Sequence, residues 1–60
     1  MTVRVLVVED DPLAAEAHTT YVGRVPGFEV AGVAHSGTDA ARFLDGDREV
    51  DLILLDMHLP

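Results

Sequence analysis

Two short acidic segments each follow a run of aliphatic residues, and they are the part of the sequence best suited to chemistry. Glu9, Asp10 and Asp11 follow the first run, and Asp56 follows the last. Carboxylates held close together repel one another, so such a group favours a divalent cation that offsets their charge. Oxygen ligands in a chain without cysteine suit Mg²⁺, which keeps coordination positions open for phosphate oxygens. A carboxylate in such a site can attack phosphorus and form an acyl phosphate, and Asp56 is the candidate nucleophile.

The first acidic segment lies between a predicted strand and a predicted helix. Val3 to Val8 is a nearly continuous aliphatic run rich in β-branched residues, which predicts a strand buried on both faces of a parallel sheet. Asp11 followed by Pro12 predicts a helix N-cap with proline at the first helical position. The helix is expected to turn one apolar stripe toward the sheet, made of Leu13, Ala14, Ala17 and Tyr21.

The rest of the chain repeats the alternation of strand and helix. Phe28 to Ala34 alternates apolar with small or polar residues, which predicts a second strand nearer an edge of the sheet. Ser36 and Asp39 have the spacing of a helix cap, and Gly46 predicts the end of that second helix. Val50 to Leu55 predicts a third strand, covered on both faces. The apolar side of the second helix is expected to be Ala40, Ala41, Phe43 and Leu44.

The order β-α-β-α-β predicts an α/β fold with a parallel sheet, which places the carboxyl ends of all strands at one edge. Glu9 and Asp10 end the first strand, and Asp56 ends the third. Neighbouring strands lie about 4.8 Å apart, so carboxylates extending from the ends of two neighbours can share one ion. We therefore expect an acidic pocket at this edge.

The length and the charge of the chain limit the classes of protein to which it can belong. At 60 residues the chain is short for a single core and buries only about 60% of the surface that it exposes unfolded. The formal net charge of −7 disfavours binding to nucleic acid phosphates and favours cations or basic partner surfaces. The N-terminus has no signal-peptide pattern, and no apolar run approaches the roughly 20 residues needed to cross a bilayer. A cytoplasmic protein without a membrane partner is expected.

The two acidic segments and their spacing resemble a known family. The segments VLVVEDDP (5–12) and LILLDMHLP (52–60), separated by a helix, a strand and a helix, are similar to the signatures of response-regulator receiver domains. The resemblance implies a flavodoxin-like, doubly wound (βα)5 fold, of which residues 1–60 are the N-terminal half. The receiver domain would then be incomplete at Pro60, with the family's switch Ser/Thr and its Lys beyond it.

The same resemblance implies roles for individual residues. Asp56 is the phosphoacceptor, and Glu9 and Asp10 are the acidic pair that holds Mg²⁺. Asp10 and Asp56 bind the ion directly, Glu9 acts through a metal-bound water, and the backbone carbonyl of His58 completes the site. Asp11 keeps the structural role of a helix cap. The domain would be a signalling domain that catalyses its own phosphorylation and not an enzyme with turnover.

A narrower resemblance concerns the first helix and the loop after it. His18, Tyr21 and the segment from Val25 to Phe28 are similar to regulators of the citrate and dicarboxylate two-component type. This implies a sensor histidine kinase as partner, a homodimer when phosphorylated, and a DNA-binding output domain beyond Pro60 that controls transcription. DNA would be bound only through that output domain. His18 is expected to lie away from the chemistry, and His35 to be a solvated loop residue.

Two other classes remain open. A pseudo-receiver would serve in dimerisation or docking without taking up phosphate, although Glu9, Asp10 and Asp56 are all present. An Mg²⁺-dependent phosphohydrolase or nuclease also places acids after parallel strands. Such sites require a second acid two residues after the first, whereas Asp56 is followed at that spacing by His58.

Overall fold

The computed structural model of the protein describes residues 1–46 and 49–56. Three strands and two helices alternate along the chain: β1 (Val3–Glu9), α1 (Pro12–Arg24), β2 (Phe28–Ala34), α2 (Gly37–Asp45) and β3 (Leu52–Asp56). The strands form one parallel sheet in the order β2-β1-β3. The α/β class, the parallel sheet and the position of β2 at an edge are as predicted. The first and third strands are neighbours, which is the condition for their terminal carboxylates to share one ion.

Strand β1 is the centre of the core because it pairs on both sides and is covered on both faces. Its residues from Val5 to Val8 are each 1% exposed or less. On one face Val5 and Val7 pack with Val22 of α1. On the other face Leu6 and Val8 pack with Ala34, and the side chains of Ala40 and Phe43 from α2 join them. Helices on opposite faces of the sheet make the arrangement doubly wound, as in flavodoxin-like folds.

Helix α1 begins where the sequence predicted but presents a different side to the sheet. The Asp11 side chain caps it by accepting a hydrogen bond from the backbone N–H of Leu13 at 3.0 Å, with Pro12 in the first turn. The buried residues of the helix are Ala15 and Val22. The predicted stripe is therefore wrong: Leu13, Ala17 and Tyr21 are exposed and Ala14 is half-buried. The helix therefore packs on the sheet through the side that holds Ala15 and Val22.

Helix α2 has the predicted ends and half of the predicted apolar side. Ser36 Oγ accepts a hydrogen bond from the N–H of Asp39 at 3.1 Å, and the N–H of Gly46 closes the last turn. Phe43 packs toward the sheet, and its ring occupies the space that a Cβ atom at Gly32 would need. Ala40 also faces the sheet, whereas Ala41 and Leu44 are exposed. Glycine at position 32 is thus what lets α2 lie close to β2.

Strand β3 departs from prediction at both ends and in its burial. It runs from Leu52 to Asp56, two residues later at the start and one later at the end than predicted. Immediately before it, Asp51 donates its N–H to the carbonyl of Arg4 at 2.8 Å, and its Oδ2 accepts from the N–H of Arg4 at 2.9 Å. Within residues 1–46 and 49–56 the predicted cover on both faces is not found, because both described helices pack on β1 and β2. Leu52, Ile53 and Leu55 are consequently exposed.

None of the helices in the described ranges is long and apolar enough to cross a membrane.

Candidate metal centre

The carboxyl ends of β1 and β3 bring two acids side by side. Glu9 and Asp56 are the last residues of their strands and are paired with each other in the parallel register. Val5 of β1 is paired with Leu52 of β3, and each strand reaches its acid four residues later. The two acids are therefore paired as well. Glu9 and Asp56 thus meet at the edge that the sequence predicted.

Glu9 is buried, and half of its carboxyl group lacks a hydrogen bond. Its side chain is 0% exposed. Oε2 accepts a hydrogen bond from the backbone N–H of Asp11 at 3.1 Å, whereas the buried Oε1 has no hydrogen-bond partner among the described residues. A buried polar atom without a partner is costly, and buried acids are normally paired or bind a metal. This oxygen is what a cation at the strand edge would satisfy, so the residues present fit the divalent ion that the sequence predicts.

Asp56 differs from Glu9 in being accessible. Its side chain is 46% exposed, so a donor molecule can reach the carboxyl group from solvent. Its Oδ2 lies 2.8 Å from Nε2 of His18, a hydrogen-bonding distance. Asp56 therefore combines access from solvent with a fixed orientation, which a nucleophile needs.

His18 is the site residue that sequence reasoning missed. The expectation that it lies away from the chemistry is wrong, because its Nε2 lies 2.8 Å from Asp56 Oδ2 and 3.4 Å from Glu9 Oε1. The helix explains this placement: His18 follows the buried Ala15 by three residues and precedes the buried Val22 by four. The sequence alone does not indicate this position, because the larger apolar residues Leu13 and Tyr21 favour a different side of the helix as the buried one.

The other residues singled out in the sequence have different positions. Asp10 follows directly after β1 with an exposed side chain. Asp11 caps α1, as predicted. His58 lies outside the described residues, so its carbonyl stays a prediction. His35 is exposed, as expected, and its Nδ1 lies 3.1 Å from the backbone oxygen of Glu9.

Within the described part of the chain, three side chains form a group that could hold a metal ion. Glu9, His18 and Asp56 each offer one ligand atom, and these atoms all lie within 4.8 Å of one another. The sequence predicted Glu9 and Asp56 at the ion, and His18 is an additional member of the group. The direct role of Asp10 at the ion stays a prediction.

Comparisons with known proteins agree with the fold. Residues 5–60 match the model of the response regulator receiver domain. The transcriptional regulatory protein MalR of Bacillus subtilis is 41% identical over 58 residues, which are 97% of this chain and 24% of that protein. The probable C4-dicarboxylate response regulator DctR of Priestia megaterium is 32% identical over 56 residues, 93% of this chain and 24% of that protein.

A third relative is longer than these two and is not named as a regulator. The protein-glutamate methylesterase/protein-glutamine glutaminase 2 of Anaeromyxobacter dehalogenans is 41% identical over 58 residues, 97% of this chain and 17% of that protein. The chain thus spans about a quarter or less of the curated relatives that it matches. None of the solved structures matches the chain significantly. With 56 of its residues matched by the family model and a parallel sheet that ends in paired acids, the chain belongs to the response regulator receiver domain family.

Proposed function

We propose that the chain is the phosphoacceptor part of a two-component response regulator, in which Asp56 takes a phosphoryl group from a sensor histidine kinase. The observation that carries the proposal is the buried Glu9 Oε1 without a hydrogen bond, at the strand end paired with the accessible Asp56. A buried acid next to an exposed one is the arrangement expected where a cation and a nucleophile share a site.

The two acids have different tasks in the transfer. An oxygen of Asp56 attacks the phosphorus atom of a phosphohistidine or of a small phosphodonor, forming an acyl phosphate as the bond to the donor breaks. Glu9, Asp10, Asp56 and the carbonyl of His58 would hold Mg²⁺. When bound, Mg²⁺ offsets negative charge on the oxygens of the phosphoryl group. The Asp11 N–H fixes Glu9 Oε2, so that Oε1 is the oxygen left to face the ion.

The output of this chemistry is signalling. Phosphorylation adds charge at the end of β3 and would bias a two-state surface of the domain, such as one that controls homodimerisation. The chain would be the receiver portion of a longer cytoplasmic protein with a DNA-binding output domain, acting as a transcription regulator. The names of two relatives, both regulators, support this output, whereas the methylesterase shows that similar receiver sequences occur with other outputs.

The experiment is phosphorylation with acetyl phosphate and Mg²⁺, followed by intact mass. The protein expressed from its full reading frame should gain one phosphoryl group, and the gain should disappear on removal of Mg²⁺ or in Asp56→Asn. Asp51→Asn is the matched control, because it makes the same change at the residue just before β3 and keeps an oxygen that accepts from Arg4. Absence of an adduct in the folded wild-type protein would instead favour the pseudo-receiver, which docks without phosphate.

A further inference from the structure

We propose that His18 Nε2 is a direct ligand of the cation, so that the site binds transition-metal ions such as Co²⁺, Ni²⁺ and Zn²⁺ more tightly than an all-oxygen site would. The inference rests on the proposed metal site and adds a ligand to it. It predicts which class of ion the site prefers and which residue of α1 sets that preference.

The distances suit three ligands of one ion. Nε2 of His18 lies 2.8 Å from Asp56 Oδ2 and 3.4 Å from Glu9 Oε1, and all three ligand atoms lie within 4.8 Å of one another. Ligands about 2.1 Å from an ion are about 3.0 Å apart when adjacent in an octahedron and about 3.4 Å apart in a tetrahedron. An ion could therefore contact all three after small side-chain movements.

The burial of Glu9 is an independent observation that points to a ligand at this position. Its Oε1 is inaccessible to solvent and accepts no hydrogen bond from the described residues, although the His18 ring nitrogen is 3.4 Å away. The contact between His18 and Asp56 leaves this oxygen unsatisfied. An ion bound between the three side chains would satisfy it.

His18 is held on the correct side of α1 for this role. Ala15 and Val22, one turn before and one turn after it, are buried against the sheet. The side chain of His18 remains 32% exposed, so the other coordination positions of an ion would open toward water and a phosphoryl group. The ring would bind with its lone pair on Nε2 and its proton on Nδ1.

The chemistry of imidazole determines the expected preference. Carboxylate oxygens suit Mg²⁺ and Mn²⁺, whereas imidazole nitrogen suits Zn²⁺, Co²⁺ and Ni²⁺, whose affinities for mixed sites also rise along the Irving–Williams order. Loss of the imidazole should therefore weaken Co²⁺ binding by about tenfold or more, the scale seen when even the surroundings of metal ligands are changed. Mg²⁺ binding should change by less than about threefold, because Mg²⁺ depends on the oxygens.

The test compares the two ions in one variant. Calorimetric titrations with Co²⁺ and with Mg²⁺, and the visible absorption of bound Co²⁺, would be recorded for the protein from its full reading frame and for His18→Gln. Glutamine keeps a nitrogen near Nε2 that can still donate to Asp56, so the variant removes the ligand and retains the hydrogen bond. His35→Gln is the matched control, since it removes a histidine at the same edge of the sheet that lies outside the ligand group.

A fall in the ratio of Co²⁺ to Mg²⁺ affinity in His18→Gln, with the ratio unchanged in His35→Gln, supports the inference. An unchanged ratio in His18→Gln overturns it. Ring ¹⁵N resonances of the wild-type protein provide a second measurement that does not depend on the folding of the variant. Addition of Zn²⁺ should shift Nε2 of His18, and an Nε2 resonance that does not move with bound Zn²⁺ also overturns the inference.

The proposed function is judged separately. If Mg²⁺ supports phosphorylation of Asp56 while the ion ratio is insensitive to His18, the inference fails and the proposed function stands. If neither an adduct nor binding of either ion is found in the folded protein, both fail.

Discussion

Strands β1 and β3 have similar sequences and opposite surroundings. Both are aliphatic runs that end in an acid, and they are hydrogen-bonded neighbours in one sheet. Yet Val5 to Val8 are 1% exposed or less, whereas Leu55 is 66% exposed. The difference lies in the neighbours: β1 has a strand on each side and a helix on each face, and both helices lie over β1 and β2. An aliphatic run thus specifies a strand, and the elements around it decide whether the strand is buried.

The acids at the ends of the two strands also differ in their exposure to solvent. Glu9 is enclosed because β1 is central, and Asp56 is 46% exposed because β3 lies at the edge of the described sheet. An enclosed carboxyl group can hold an ion away from competing water, and an accessible one can receive a group from a partner protein. The topology therefore assigns different tasks to two chemically similar side chains.

The largest effect is expected from truncating the core of β1. Leu6→Ala should lower the free energy of unfolding by about 2–5 kcal/mol, because it leaves a cavity beside Val8, Ala34 and Phe43. In so small a domain this loss is a large part of the total stability. Urea denaturation followed by circular dichroism measures it. A loss below about 1 kcal/mol would contradict the central role of β1.

The second prediction concerns the buried Glu9, where a substitution should raise the free energy of unfolding and not lower it. Without added cation, Glu9→Gln should raise the free energy of unfolding by about 1–3 kcal/mol, because the neutral amide removes a buried negative charge that lies beside Asp56 and is only half hydrogen-bonded. The same substitution should remove the stabilisation by Mg²⁺, which in the wild type reaches about 2.7 kcal/mol at an ion concentration 100 times Kd. Urea denaturation with and without Mg²⁺ tests both. A cation-free variant less stable than the wild type would argue against Glu9 as an ion ligand.

A smaller loss is expected where β3 is attached to β1. Asp51→Ala removes the acceptor for the Arg4 N–H and should lower the free energy of unfolding by about 1 kcal/mol. The backbone amide of Arg4 should also exchange its hydrogen faster with solvent. Asp51→Asn retains an acceptor oxygen and serves as the control. Equal exchange of the Arg4 amide in both variants would show that the side chain does not hold the strand.

The smallest effect is expected on the exposed side of β3. In the 60-residue chain, Leu55→Ala should change the free energy of unfolding by less than about 0.5 kcal/mol, since the side chain is largely in solvent. The same substitution at Leu6 is expected to lower the free energy of unfolding by several times more. Because both variants replace leucine with alanine, the difference between them reports the burial of the side chain. Urea denaturation of the two variants under identical conditions makes the comparison. Similar losses would mean that β3 is covered after all.

The elements of the fold could be predicted because their signals are local. The cap at Asp11, the cap at Ser36 and the glycine after α2 mark helix ends through hydrogen bonds within a few residues, and the structure confirms all three. The start of β3 could not be predicted in this way. There the side chain of Asp51 accepts the hydrogen bond from the Arg4 N–H that a backbone carbonyl would otherwise accept. The two residues are far apart in the sequence, so no local pattern predicts this contact.

The meeting of Glu9 and Asp56 could also be predicted, because parallel topology places strand ends together whatever the side chains do. The contribution of His18 could not, because it depends on which side of α1 is buried. Alanines lie on several sides of this helix, and the apolar residues Leu13 and Tyr21 point to a side that the described sheet does not cover. Size and hydropathy alone thus favoured the wrong side.

The pairing of Asp51 with Arg4 has a consequence for the acids at the other end of the strands. Glu9 follows Arg4 by five residues, and Asp56 follows Asp51 by five residues. The contact between Arg4 and Asp51 at one end of the strands therefore fixes the register that pairs the acids at the other end. Insertion of one aliphatic residue between Leu52 and Leu55 would leave the aliphatic character of β3 unchanged. It would nevertheless place a leucine beside Glu9 and turn Asp56 toward the opposite face of the sheet, because side chains alternate along a strand. The spacing between two acids 47 residues apart is thereby set by counting residues from a contact at the far edge of the sheet.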